Sequence, residues 1–431
     1  MSVWQVALKR ASSLSTAQFV ALQVVATVLA LVLLLEAWSW FSPPKDKIVW
    51  PTVQDAAVGS RFKANTRVLW TNGLDFRVDE RTNESGFLDR PLPPIPRKPG
   101  TCRIALIGDS FVEAAQVPIG QKAQVLIEGL MKARPQFGGV FGGVFGGVLG
   151  VETMAFGFSG TGQLNQLGYL EAYVRPRKPD LIVLVFVSND FANNSALLEA
   201  IRGDRHPAHT SRIFARETAA GAVELQPIDP DWSSHRLPAT GDGRPWLHTT
   251  LHKASRFYRW LYAKLTLQYP GIARWMGQEP TEAEHTAARV AAISGLDPTY
   301  ARQFAGWDVR AQPNIDLMFA EPGPLPPVFE QALRFTGFAF DTFKARAAAD
   351  GARLAVLATH EVKGVREVRL RKLLAERDIP LISMPEHIAR QGGKITDAHW
   401  RHDGHWSPQG HIWAAEAIVE HMAKASVCGS K

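Results

Sequence analysis

The chain has 431 residues, of which 46% are hydrophobic and 21% charged, a length and apolar content that suit one large core or two smaller ones and exclude a disordered chain. Its formal charge of +7 is scattered, without the dense lysine and arginine cluster of a nucleic-acid interface. Two distant cysteines, Cys102 and Cys428, define no metal spacing and leave a single bridge open.

The first element is the stretch 17–35, which has no charge and only Gln18, Gln23 and Thr27 as polar side chains. It is long enough to span a bilayer. Lys9 and Arg10 precede it, the first acid is Glu36, and Trp38, Trp40 and Phe41 follow in the manner of an interfacial aromatic belt. These flanks predict a cytoplasmic tail over 1–16, a transmembrane anchor over 17–38 and a body outside the cytoplasm, periplasmic in a bacterium. A cleaved signal peptide is the competing reading, but bulky residues stand where small ones would mark a cleavage site.

Residues 39–100 are punctuated by proline and read as a stem and lead-in. Asn72-Gly73 suggests a tight turn, and no chemistry is visible there. Residues 104–107 are apolar, include two β-branched side chains and lack helical periodicity, which predicts a strand buried on both faces of a parallel sheet. Gly108 stops it, and Ser110 follows where a helix over 111–131 begins. A serine there meets free backbone N–H groups and a positive dipole end; its plainer role is an N-cap.

Residues 137–150 repeat Phe-Gly-Gly-Val three times and end in Leu-Gly, a low-complexity run read as a connecting loop, with a hydrophobic contact loop as the alternative. A second strand over 151–155 leads into the glycine-rich turn 156–162, whose spacing is not the dinucleotide fingerprint. A helix over 163–174 and a strand over 181–187 follow, and the strand runs into Ser188-Asn189-Asp190. Residues 195–327 form an insertion in which Leu251, Ala254, Tyr258, Leu261, Tyr262 and Leu265 recur at helical spacing. That helix is expected to pack against the domain, with a substrate groove or lid as the alternative. Helix 328–350, strand 354–357, helix 363–377 and strand 381–384 complete the alternation. Five strands alternating with helices predict an α/β fold, a three-layer α/β/α sandwich with a five-stranded parallel sheet. Its ligand site lies at the carboxyl ends of the strands, where Ser110, Gly160 and Asn189 fall.

Residues 397–411 hold four histidines and two aspartates. A metal cluster must be weighed, but this spacing matches no strong ligand motif. In Asp403-Gly404-His405 an extended loop turns both side chains the same way. Asp403 would then hold the tautomer of His405 while His405 takes a proton from Ser110.

Gly108-Asp109-Ser110-Phe111, Ser159-Gly160, Ser188-Asn189-Asp190 and Asp403-Gly404-His405-Trp406 with Gly410, in this order, resemble the blocks of the SGNH (GDSL-type) serine hydrolases. The resemblance covers residues 103–194 and 328–421, which makes 101–194 and 328–431 two parts of one domain. It implies a flavodoxin-like sheet with Ser110 as nucleophile, His405 as base and Asp403 as orienting acid. The oxyanion hole would comprise the Ser110 and Gly160 N–H groups and the Asn189 amide. Most members place the acid three residues before the histidine, where this chain has His402, so Asp397 stands as understudy. The shorter Asp-x-His-Trp spacing looks like that of relatives handling acetyl groups on exported polysaccharides. The implied function is a membrane-anchored serine esterase, needing no metal or organic cofactor, that acts on acyl esters of a carbohydrate. The alternatives are an O-acetyltransferase for an exported polysaccharide and a non-catalytic envelope assembly protein.

Overall fold

In the computed structural model the described residues are 15–41, 48–133, 150–202, 212–226, 246–269, 271, 281–320, 322–359 and 368–428. They fall in two compact units, one drawn from 1–47 and 242–280, the other from 48–241 and 281–431. The repeat, apart from Gly150, lies outside the described residues, as do residues 1–14 of the expected tail.

The larger unit begins with two antiparallel ribbons. Strand β1 (Thr52–Asp55) pairs with β2 (Gly59–Phe62), and β3 (Arg67–Thr71) with β4 (Arg77–Arg81). Strands β5 (Thr101–Gly108), β6 (Gly150–Gly157) and β7 (Leu181–Phe186) follow; a small ribbon of β8 (Ala215–Glu217) and β9 (Val223–Leu225) lies in the insertion, and β10 (Arg353–Ala358) and β11 (Leu381–Ser383) come last. The central sheet has the order β11-β10-β7-β5-β6 and is parallel throughout.

Because successive side chains alternate, the continuous apolar runs feed two cores at once. Ala105, Ile107, Phe156 and Leu184 pack with Phe329, Phe340 and Phe343 of the helix Pro327–Ala349 on one face. On the other, Ile104, Leu106, Val183 and Leu357 meet Ile127 of Ala123–Ala133 and Ala414, Ile418 and Met422 of Pro408–Lys424. The expected three-layer α/β/α sandwich with a five-stranded parallel sheet is therefore the observed architecture.

Three local expectations are corrected. The helix over 111–131 is a short turn Ser110–Glu113, a 3-10 turn Ile119–Gln121 and a helix Ala123–Ala133. The first ends where Ala114 takes a left-handed conformation, φ 50°, and Pro118 then excludes a continuous ladder. The helix over 163–174 is α-helical only over Gln163–Tyr169 and continues as a π-turn, Leu170–Val174. The single helix read through 251–265 is two, Trp246–Ala254 and Arg256–Gln268, separated at Ser255, whose hydroxyl caps the second by accepting from the Tyr258 N–H at 2.9 Å.

In the smaller unit this pair accompanies the helix Thr16–Phe41, with Trp38 edge-on to Trp260 at 5.6 Å. Its stretch Thr16–Trp40 is long and apolar enough to cross a membrane. In the larger unit Cys102 and Cys428 form a disulfide that ties the start of β5 to the end of the chain.

Candidate active site

Strand β5 ends at Gly108, and the chain turns at once into the short helix that Ser110 opens. Asp109 is its N-cap, its carboxylate accepting from the Phe111 N–H at 3.0 Å. The sharp turn needs close packing: a Cβ on Gly157, at the end of neighbouring β6, would lie 2.2 Å from the Glu113 nitrogen. The serine is thus held rigidly at a strand end, and it is buried.

The loop between the 3-10 turn Ile395–Ala398 and the helix Pro408–Lys424 brings the partners. Ser110 Oγ lies 2.8 Å from His405 Nε2, and His405 Nδ1 lies 2.5 Å from Asp403 Oδ1, which also accepts from the His405 backbone N–H at 2.9 Å. Phe111 packs against His405 and Trp406, its ring centroid 5.2 Å from each. Burial works to lower the imidazole of His405, but the hydrogen bond and charge of Asp403, joined by the charges of Asp109 and Glu113, hold it above its ordinary value.

The histidines of 397–411 face separate partners. His402 Nδ1 bonds Asp75, His399 Nδ1 donates to the Ile395 carbonyl, and His411 Nδ1 accepts from the Ala123 N–H at 3.3 Å. Burial pushes His411 down to about 3, so it stays neutral. Asp397, the understudy acid, accepts from the Lys394 N–H at 3.3 Å and caps its own 3-10 turn; the carboxylate on His405 is that of Asp403. Among the described residues the grouping with metal-ligand spacing is Cys102, Asp180 and Cys428, whose sulfurs are already bonded to each other.

The other predicted positions stand in the turns that follow β6 and β7. Gly160 takes φ +70° in the turn after β6. Asn189 follows β7, its amide nitrogen 2.9 Å from Asn193 Oδ1 and 3.4 Å from Asp109 Oδ2, which is itself 3.4 Å from Ser110 Oγ.

Three further residues hold this constellation, and none was read as functional in the sequence. Glu113, fully buried, accepts from the Ser159 N–H at 2.7 Å and the Ser159 hydroxyl at 2.9 Å, anchoring the turn that carries Gly160. Burial outweighs those bonds and lifts its carboxyl to about 7. Arg212 donates to the Gly160 carbonyl and pairs with buried Glu199 at 3.3 Å. Asp75, in the loop between β3 and β4, grips the loop that carries His405 through His402. The one hint is position: Glu113 follows Ser110 by three residues, where a helix turn brings it back beneath the same site.

No family model and no curated protein matches the chain. Solved structures similar to it include a lipolytic protein of the G-D-S-L family from Desulfitobacterium hafniense, 7% identical, covering 74% of this chain and 98% of that one at a TM-score of 0.32. Others are a lipase/acylhydrolase from Enterococcus faecalis, 11% identical over 75% and 96% at 0.34, and an acetylxylan esterase from Geobacillus stearothermophilus, 10% identical over 74% and 93% at 0.33. Likenesses this distant carry no argument about activity. The parallel sheet is the one that the resemblance to the SGNH (GDSL-type) hydrolases implied, and the fold brings Ser110, His405 and Asp403 into hydrogen-bond contact.

Proposed function

We propose that this chain is a membrane-anchored, extracytoplasmic serine esterase that cleaves acyl esters, acetyl esters of a carbohydrate above all, through an acyl-Ser110 intermediate. The observation that carries the reading is the unbroken chain from Ser110 Oγ through His405 to Asp403, at 2.8 and 2.5 Å.

Neutral His405 donates Nδ1–H to Asp403 and leaves the Nε2 lone pair for the serine proton. As Ser110 Oγ attacks the ester carbonyl, that proton moves to Nε2, and the imidazolium is stabilised by Asp403. The proton then passes to the departing alkoxide, leaving the acyl group on Ser110. Water, activated by His405 in the same way, attacks the acyl carbon, the carboxylic acid is released, and the proton on His405 returns to Ser110 Oγ. The oxyanion is met by the Ser110 and Gly160 N–H groups and by the Asn189 N–H, whose contact to Asp109 is long. Loss of one such donor costs about 10²–10³ in rate.

The Asp403-Gly404-His405-Trp406 spacing supports acetyl chemistry. The apolar stretch Thr16–Trp40 supports an anchor, and the Cys102–Cys428 disulfide supports an oxidising compartment outside the cytoplasm.

The test uses the full chain in detergent with an activated acetyl ester, following turnover and covalent mass in the native protein, Ser110→Ala and His405→Ala. Turnover lost in both variants, with acetyl trapped on Ser110 in the native chain, is the expected result. A folded native protein with neither turnover nor adduct would sink the enzyme reading in favour of an assembly role. Acyl transfer to added sugar faster than to water would make the chain an O-acetyltransferase on the same machinery.

A further inference from the structure

The helix Thr16–Phe41 contains a single charged side chain, Glu36, within its last turns. A carboxylate on so apolar a helix needs partners, and the start of a neighbouring helix supplies them. It accepts from Ser255 Oγ and the Arg256 N–H, both at 2.7 Å, and from the Phe257 N–H at 3.1 Å. These donors form the N-terminus of the helix Arg256–Gln268, whose N–H groups have no partner inside their own helix. Glu36 therefore pins that helix to the end of the apolar one. Aromatic rings gather at the junction: Trp38 meets Trp260, Phe257 stacks on Trp260 at 5.8 Å, and the Arg256 guanidinium lies 5.5 Å from the Trp40 ring.

The pinned segment has an unusual composition. Residues 246–269 include no aspartate or glutamate, but carry Lys253, Arg256, Arg259 and Lys264 beside six aromatic residues. Leu247 and Tyr269 are exposed at 52% and 55%, as are Trp38 and Trp40 at 51% and 67%. Rings with one polar edge and acid-free cationic sequence are what the headgroup layer of a bilayer selects, and anionic lipid adds attraction for each cation.

We propose that residues 246–269 are a membrane-surface element that lies in the anionic headgroup layer of the bilayer, tied there by Glu36. The proposal rests on the reading of Thr16–Trp40 as an anchor. It gives the middle of the insertion a lipid partner and explains the lone acid of the apolar helix as the tie between the two.

The two natural cysteines are joined, so an added cysteine gives one labelling site. Nitroxide labels on Leu247→Cys and Tyr269→Cys would be compared with Leu29→Cys in the apolar helix and with Lys372→Cys on the exposed surface of the larger unit. The full chain is placed in vesicles of phosphatidylcholine and phosphatidylglycerol, and collision rates with oxygen and a water-soluble nickel chelate are measured. The expected oxygen-to-nickel ratio is highest at 29 and lowest at 372. At 247 and 269 it is several-fold above the value at 372, falling when phosphatidylglycerol is replaced by phosphatidylcholine or Glu36 by alanine. Ratios at 247 and 269 equal to that at 372, with 29 deep in hydrocarbon, would overturn the proposal alone; a water-exposed label at 29 would overturn the anchor as well. Ratios indifferent to anionic lipid or to Glu36→Ala would overturn the assigned lipid or the assigned tie.

Discussion

Asp75 clasps His402 with both carboxylate oxygens, one accepting from the backbone N–H and the other bonded to ring Nδ1, each at 2.9 Å. The turn between β3 and β4 thus holds the loop that bears Asp403 and His405, helped by Phe76 against Trp400 at 5.7 Å. Asp75→Ala is expected to lower kcat about 10- to 100-fold, as slight misplacement of a catalytic group does, with KM little changed and Asp75→Asn recovering part of the loss. Burial works to raise the Asp75 carboxyl, but its bonds from His402 and Asn72 outweigh this and hold it below the usual range. The clasp's stabilising effect is present above the ordinary aspartate value and is lost as pH falls through the depressed one. Steady-state kinetics and thermal unfolding in acid check both halves.

On the proposed mechanism the raised imidazole of His405 sets the acid limb of the rate profile. Only neutral His405 accepts the serine proton, so kcat/KM should fall as pH drops through a value above 6.5. Glu113 contributes part of the negative charge that holds this value up, so Glu113→Gln should move the limb toward lower pH. Profiles with a fixed ester substrate measure it, and a limb that stays put would show that the Glu113 charge does not reach the base.

Glu113 has its own signature in stability. Its carboxyl is lifted from 4.5 to about 7, so the folded protein binds a proton that the unfolded chain releases. Its contribution is fully present below 4.5 and declines as pH rises through that interval. Denaturant unfolding across this range should lose the corresponding slope in Glu113→Gln.

Reduction of the Cys102–Cys428 bridge removes a link between residues 326 apart. The chain-entropy account puts its stabilisation at up to ~5 kcal/mol. Cys102→Ser/Cys428→Ser should therefore unfold at lower denaturant and lower temperature. The bridge sits at the start of β5 and Ser110 beyond its other end, roughly 20 Å away for a strand of eight residues. The folded variant should turn over acyl ester at close to the native rate; a large kcat loss would show that the bridge also shapes the site.

What was legible in the sequence was what burial makes repetitive. Residues 104–107 and 181–186 are apolar without helical period because both faces of the sheet are covered, so the strands and the residues at their ends could be placed. Residues 251–265 misled, because their apolar period runs through Ser255 while the backbone breaks there and the serine side chain caps a second helix. Glu113, Arg212 and Asp75 act through side-chain contacts with residues 46, 52 and 327 positions away, and neither local propensity nor spacing encodes such distances. The same holds for the cysteines, whose pairing follows from where the last helix returns.

Ser110 and His405 are 295 residues apart, and Cys428 closes onto Cys102 from beyond both. A chain still being synthesised therefore displays its proposed nucleophile long before its proposed base exists. A serine hydroxyl without a proton acceptor is a weak nucleophile. On the proposed mechanism, acyl chemistry begins only when the loop that carries Asp403 and His405 has docked on Ser110, so that docking is itself the step that arms the site.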